Sequence, residues 1–210
     1  LRGPLDFRAK FGDKAISGLF TIEIIFPDDY PDSPPIAKEI GGCIPPEFHK
    51  HQDDILCLSA PVITKIKFSR NPTLIAFVKE TVIPYLYSFR HWEMYGEMPY
   101  GEYDHGFEGI IQSYKDLFET TADLVVLKLL RILAEGNYRG HLPCPCDSGK
   151  RLRHCHGPIL LEAAKGTSKE SFLYDFLRYL FLKYDSDKKP PPGLITKRIK
   201  ISARKMLKEV

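Results

Sequence analysis

The chain has 210 residues, of which 43% are hydrophobic, 12% aromatic and 27% charged. That composition excludes collagenous, low-complexity and wholly disordered proteins and suffices for one domain with an appendage. The formal net charge of +3 hides a split: residues 1–120 carry 12 Lys/Arg against 18 Asp/Glu, and residues 121–210 carry 18 against 9.

The split suggests two functional units, the second with a basic surface suited to an acidic partner. No run nears the roughly 18 uncharged apolar residues of a membrane span, because Lys128, Arg131, Asp175 and Arg178 interrupt the two best candidates. No basic-then-apolar leader follows Leu1, so secretion has no support in the sequence.

In chain order, the first third reads as antiparallel sheet. Leu5, Phe7, Ala9 and Phe11 alternate with polar residues, Gly12-Asp13-Lys14 turns the chain, and 16–26 is rich in β-branched and aromatic residues. PDDYPDSPP holds four prolines in nine residues, which bars regular helix and imposes a stiff turn with Tyr30 packed back onto the sheet. A further strand is expected over 36–40, then a loop with Gly41, Gly42 and two histidines, then the short apolar segment Ile55 to Leu58, ended by Pro61. Residues 73–82 have helical spacing, with Asn71 as cap, Pro72 at the first position and Pro84 bending or ending the helix. The aromatic and glycine-rich run 92–108 reads as a compact loop. Helices are expected over 107–118, 121–134 and 169–184, the second closed by Gly136, and the basic C-terminal segment with Ile195, Ile199 and Met206 reads as an amphipathic helix docked on the domain.

Five cysteines, three of them within twelve residues, argue against a disulfide scaffold and for a metal cluster plus separate thiols in a reducing compartment, the cytoplasm. In PCPCDSGKRLRHCHG (143–157), Cys144, Cys146 and Cys155 with the following His156 can satisfy a tetrahedral zinc ion and leave no open position, so the site is structural. Asp147-Ser148-Gly149 supplies the turn that brings the second arm back. The run closely resembles the SEC-C zinc motif. That resemblance implies one structural zinc on Cys144, Cys146, Cys155 and His156, leaves His154 on the surface, and implies a docking role for the module.

Cys57 stands just after a loop with His49, His51, Asp53 and Asp54, groups able to position a thiolate or polarise a carbonyl. Cys43, without a nearby base, reads as structural. GLFTIEIIFPDDYPDSPP resembles the third strand and proline turn of the ubiquitin-conjugating-enzyme fold, ILCLSAP its active-site segment, and NPTLIAFVKETV the helix behind it. The resemblance spans about residues 5–118 and implies an α/β (α+β) UBC-like domain over 1–120, with a meander sheet and packed helices. Helices carrying the zinc module and a basic tail follow over 121–210. It further implies that Cys57 accepts a ubiquitin-like protein as a thioester from an activating enzyme and passes it to an amine. The family's His-Pro-Asn motif is absent, so His51, with His49 or Gln52 as alternates, is expected to orient the thioester. Asp53 or Asp54 would serve the amine, and His105 is a further candidate. The implied setting is a bacterial, defence-type conjugation pathway, with a ubiquitin-like protein, an activating-enzyme-like protein and a JAB-type peptidase as partners. Nucleic acid is the weaker expectation because no reading motif is recognisable. The alternative is a non-catalytic adaptor that binds a ubiquitin-like protein while Cys57 merely packs.

Overall fold

A computed structural model describes residues 1–99, 106–184 and 188–208. Two compact units emerge, Leu1–Asp104 and His105–Val210. The helix at 107–118, placed with the first domain in the sequence reading, therefore falls in the second unit.

In the first unit, β1 (Arg2–Phe11), β2 (Lys14–Ile25) and β3 (Ile36–Glu39) form an antiparallel sheet in the order β1-β2-β3. The β1–β2 register runs from Arg2 opposite Glu23 to Phe11 opposite Lys14, around a turn in which Gly12 takes φ 57. Alternation sends Phe7, Ile16, Phe20, Ile22 and Ile24 to the inner face and leaves Asp6, Arg8, Ser17 and Leu19 outside. The proline-rich turn has no regular structure, and Tyr30 packs against Phe26 and Phe68, with ring centroids 4.9 and 6.1 Å apart.

Two helices follow that the pattern did not reveal in full. Pro61, read as a terminator, opens α1 (Pro61–Arg70), where its missing N–H costs nothing in the first turn. After α2 (Leu74–Phe77), capped by the Thr73 hydroxyl in place of the expected Asn71, one π-helical turn (Val78–Val82) leads directly into α3 (Ile83–Tyr95). Pro84 thus ends nothing, because it sits at the start of α3, where the wider turn accommodates its missing donor. Residues 92–95, expected in a loop, form the last turn of α3, which Gly96 closes at φ 72. Leu86, Tyr87 and Phe89 of α3 are buried and join the inner face of the sheet in one core. Each fully buried side chain of this size contributes about 1.5–3 kcal/mol.

The second unit is helical: α4 (Phe107–Leu117), α5 (Asp123–Glu135), α6 (Gly157–Gly166), α7 (Lys169–Lys183) and α8 (Lys197–Met206). α5 is buried at Val125, Val126, Leu127, Leu129, Leu130 and Leu133, so it is apolar nearly all round and forms the centre. α7 packs on it through Phe172, Phe176 and Tyr179. Two polar clasps supplement this core. Tyr114 donates to buried Asp175 at 2.7 Å, and Asp123 accepts from Tyr179 at 2.7 Å while pairing with Lys115 and Lys183 at 2.6 and 2.8 Å. α8 docks through Ile199, behind buried Leu194 of the preceding bend, and contacts α5 and α7. Among the described residues no helix is long and apolar enough to cross a membrane.

Candidate functional site

Residues 142–152 form a short hairpin. Cys144 N–H donates to the Lys150 carbonyl at 2.9 Å, Leu152 N–H donates to the Leu142 carbonyl at 2.8 Å, and Pro143 bridges Arg151. Its turn places Asp147 at φ 59 and Gly149 at φ 74, conformations open to glycine and tolerated by aspartate. One 3-10 turn (Leu152–His154) then carries Cys155 and His156 back to the hairpin, and His156 is the N-cap of α6. Four ligand atoms meet there, all within 4.8 Å of one another: the thiol sulfurs of Cys144, Cys146 and Cys155 and a ring nitrogen of His156. Nδ1 of His156 lies 3.1 Å from Cys144 Sγ and 3.3 Å from Cys155 Sγ, and the sulfurs of Cys146 and Cys155 are 3.4 Å apart. Ligands about 2.1–2.3 Å from a tetrahedral ion stand roughly 3.5–3.8 Å from each other. The set fits a metal ion after an adjustment of a few tenths of an ångström.

Residues 142–158 match the SEC-C motif. No curated protein and no solved structure matches the chain.

The surroundings of the SEC-C ligands suit the same assignment. His156 Nε2 lies 2.8 Å from the Phe118 carbonyl, so the ring donates there and leaves Nδ1 as the acceptor facing the sulfurs. Burial pushes the Cys144 thiol up to about 11. At Cys146 burial acts in the same direction but is outweighed by hydrogen bonds from the Ser148 side chain and backbone, which bring that thiol down to about 6. His154 is exposed, with its Nε2 3.0 Å from Arg153 Nε, outside the ligand set. Gly157 permits the tight closure of the motif onto α6: a Cβ there would stand 2.5 Å from the Tyr138 hydroxyl and 2.6 Å from the Leu152 carbonyl oxygen.

In the first unit, segments 49–51 and 55–57 run antiparallel. Cys57 N–H donates to the His49 carbonyl and His51 N–H to the Ile55 carbonyl, both at 2.8 Å, and Lys50 bridges Leu56. One 3-10 turn (Gln52–Asp54) joins them, with Asp53 and Asp54 at φ 60 and 62. Ile55 also bridges Lys38 of β3, and Leu56 N–H donates to Ala37 at 2.9 Å, so this ribbon continues the antiparallel order beyond β3.

The ribbon brings His49 directly opposite half-buried Cys57 and places exposed His51 two residues further along. Burial raises the Cys57 thiol above its ordinary value. Asp53 is exposed at the turn, whereas Asp54 is held by Lys50 at 2.7 Å, which keeps its carboxyl below the usual range. His105 and the side chain of Gln52 lie outside the described residues. Cys43, read as structural, is exposed.

Three residues that the sequence did not single out organise this region. Tyr85 of α3 donates from its hydroxyl to the Phe48 carbonyl at 2.9 Å and approaches that of His49 at 3.3 Å. Burial, then the nearby negative groups of Cys57 and Glu39, push its phenol upward. The Lys50 side chain is only 5% exposed and donates to the Ile44 carbonyl at 3.1 Å. Glu39, 1% exposed, receives the amides of Gly41 at 2.7 Å and Ile44 at 3.2 Å. Their only sequence signal was a charged or phenolic group next to an apolar run, a pattern shared with many surface positions.

Proposed function

We propose that the chain is a ubiquitin-conjugating-like transferase in which Cys57 carries a ubiquitin-like protein as a thioester, and in which the SEC-C module holds one structural zinc ion. The observation that carries the reading is the position of Cys57: a half-buried thiol at the end of the ribbon that follows a three-stranded meander, with His49 opposite and His51 nearby. The resemblance of 5–118 to the UBC-like fold supports the reading through the succession of apolar strand, proline turn and cysteine segment, although the strand before the proline turn is the second of the sheet and not the third.

Cys57 gives up its proton, and the thiolate attacks the thioester carbonyl presented by an activating enzyme. The tetrahedral oxyanion collapses, and the activating enzyme's thiolate leaves and takes a proton. An amine then attacks the new thioester, loses its proton to a nearby base and expels the Cys57 thiolate. In this reading His51 or His49 orients the carbonyl. Asp53 is the better base, because the Asp54 carboxylate is tied to Lys50. Zinc suits three thiolates and one imidazole, and a closed set of four ligands supplies folding energy and no catalysis. The unpaired cysteines suit a reducing compartment such as the cytoplasm. The ubiquitin-like protein, its activating enzyme and a JAB-type peptidase remain the proposed partners.

One observation favours the adaptor reading: burial raises the Cys57 thiol and so lowers its thiolate fraction at neutral pH. A charging assay separates the two. The protein is mixed with the ubiquitin-like protein, its activating enzyme and ATP, then resolved on a non-reducing gel. A slower band that reductant removes, and that becomes reductant-resistant in Cys57→Ser, supports transfer chemistry. No adduct, while the activating enzyme itself charges, overturns it in favour of the adaptor.

A further inference from the structure

The strongest charged feature outside these sites is α8. Its sequence, KRIKISARKM over Lys197–Met206, contains five cations and no acid, and Lys208 follows two residues past its end. The face containing buried Ile199 and partly buried Ser202, Ala203 and Met206 turns toward the unit. Lys197, Lys200, Ile201, Arg204, Lys205 and Lys208 are exposed. At 100° per residue they occupy a single outward arc, so the charges form a stripe along the helix. Among the described residues, Lys197, Lys200, Arg204 and Lys208 make no ion pair.

The stripe opposes the local interests of the helix. Lys197 and Arg198 occupy the first turn, where the helix dipole favours acids. Lys200, Arg204 and Lys208 follow at successive four-residue spacings, where like charges repel. Elsewhere in the same unit Lys115 and Lys183 share Asp123. An external polyanion would relieve both conflicts in α8, and consistency arguments place such violations at functional surfaces.

We infer that the outward face of α8 docks on the phosphate backbone of duplex DNA. The ten residues of α8 extend about 15 Å, a length over which one strand of a duplex presents roughly four phosphates. Four cations of the stripe that make no ion pair among the described residues, Lys197, Lys200, Arg204 and Lys208, are exposed on this face. Because α8 is already docked by Ile199, behind buried Leu194, the charges are held in a line on a rigid support. A duplex offers its phosphates on a rigid path, whereas a single strand must first be ordered. The same docking argues against a bilayer, since the main apolar face of α8 is turned inward and is not available for insertion. The absence of a base-reading motif is expected for this surface: it would position the chain on DNA without selecting sequence. The inference does not depend on the role of Cys57.

The test is fluorescence anisotropy of a labelled 20-base-pair duplex titrated with the metal-loaded full chain over a series of KCl concentrations. For four phosphate contacts the slope of log K against log[salt] is about −3.6. Lys200→Gln/Arg204→Gln/Lys208→Gln is expected to reduce that slope by about 2.7 and to weaken binding at low salt. Its melting curve should show the unit still folded, since all three side chains are exposed. Lys65→Gln/Lys67→Gln on α1 is the control and should leave the slope unchanged. No binding at low salt overturns the inference, as do an unchanged slope in the triple variant and a preference for the single strand. Retention on phosphatidylserine-containing vesicles without duplex binding would overturn it in favour of a membrane surface.

Discussion

Replacing Gly157 by alanine tests whether the SEC-C module is closed by close contact or by turn conformation. The added Cβ would lie 2.5 Å from the Tyr138 hydroxyl, 2.6 Å from the Leu152 carbonyl oxygen and 3.0 Å from its carbonyl carbon. Tyr138 can swing aside, but the Leu152 backbone cannot, because its N–H is bonded to Leu142 and its carbonyl receives Cys155 N–H. Overpacking against fixed backbone costs about 1–3 kcal/mol. In a chain of this size each kcal/mol lowers the melting temperature by roughly 2–4 °C. Gly149→Ala makes the comparison: its Cβ meets nothing within 4 Å, but φ of +74 penalises any side chain, at roughly 1–2 kcal/mol. The assay is thermal melting of the metal-loaded protein, followed with a chromophoric chelator that reports metal release. Gly157→Ala is expected to melt lower than Gly149→Ala and to release metal earlier. Adding Tyr138→Phe should recover only part of the loss, since the carbonyl contact remains. Equal behaviour of the two single variants, or full rescue by Tyr138→Phe, would refute the reasoning.

Purified protein should carry one zinc per chain by elemental analysis, and Cys155→Ala or chelator treatment should abolish it and lower the thermal transition of the second unit. Alkylation of Cys57 by iodoacetamide, followed by peptide mass spectrometry, is expected to have its pH midpoint above the ordinary thiol value of about 8.5, because burial disfavours the thiolate. A midpoint below that value would show that a cation dominates the site. Burial opposes ionisation of Asp123, but Lys115, Lys183 and Tyr179 outweigh it and hold the carboxyl well below its usual range. Its folded pKa is thus depressed, so the stabilisation is complete above the unfolded value of about 3.9 and is lost as pH falls below it. Asp123→Asn should therefore lose about 1 kcal/mol at pH 7, a figure reduced for solvent screening of this partly exposed group, and show a flatter acid limb in urea unfolding. Tyr85→Phe keeps the ring packing on Phe48 and removes two hydroxyl contacts, so about 1 kcal/mol of stability should go, measured by chemical denaturation.

The hairpin of β1 and β2, the helix at 121–134 and the ligand quartet were legible because each depends on local residue order: alternation across a pleat, an apolar run ended by Gly136, and four donors in thirteen residues. Pro61 and Pro84 misled the reading because proline breaks a helix only in its interior, and position within an element is set by tertiary contacts that a lone sequence does not display. α6 was missed because it is short and begins at the last metal ligand, so that the motif masked the start of the helix. The region around Cys57 was legible only as a neighbourhood. The sequence put histidines and aspartates near the thiol, but the pairing of His49 with Cys57 and the capture of Asp54 by Lys50 follow from a hairpin register set by two aspartates at positive φ. Tyr85 lies 28 positions beyond Cys57 and enters only through packing of α3.

The π-helical turn at Val78–Val82 bears on how this chain is compared with others. A π turn closes its hydrogen bonds over five residues where an α turn uses four, so it acts as a one-residue insertion absorbed within a continuous helix. Everything after it is rotated by about 100° relative to an uninterrupted helix, in a helix buried at every position from Tyr85 to Phe89. An alignment with a relative that lacks the π turn, drawn without a gap between 78 and 82, would set every residue of α3 one position off its counterpart, and true kinship along α3 would register as mismatch.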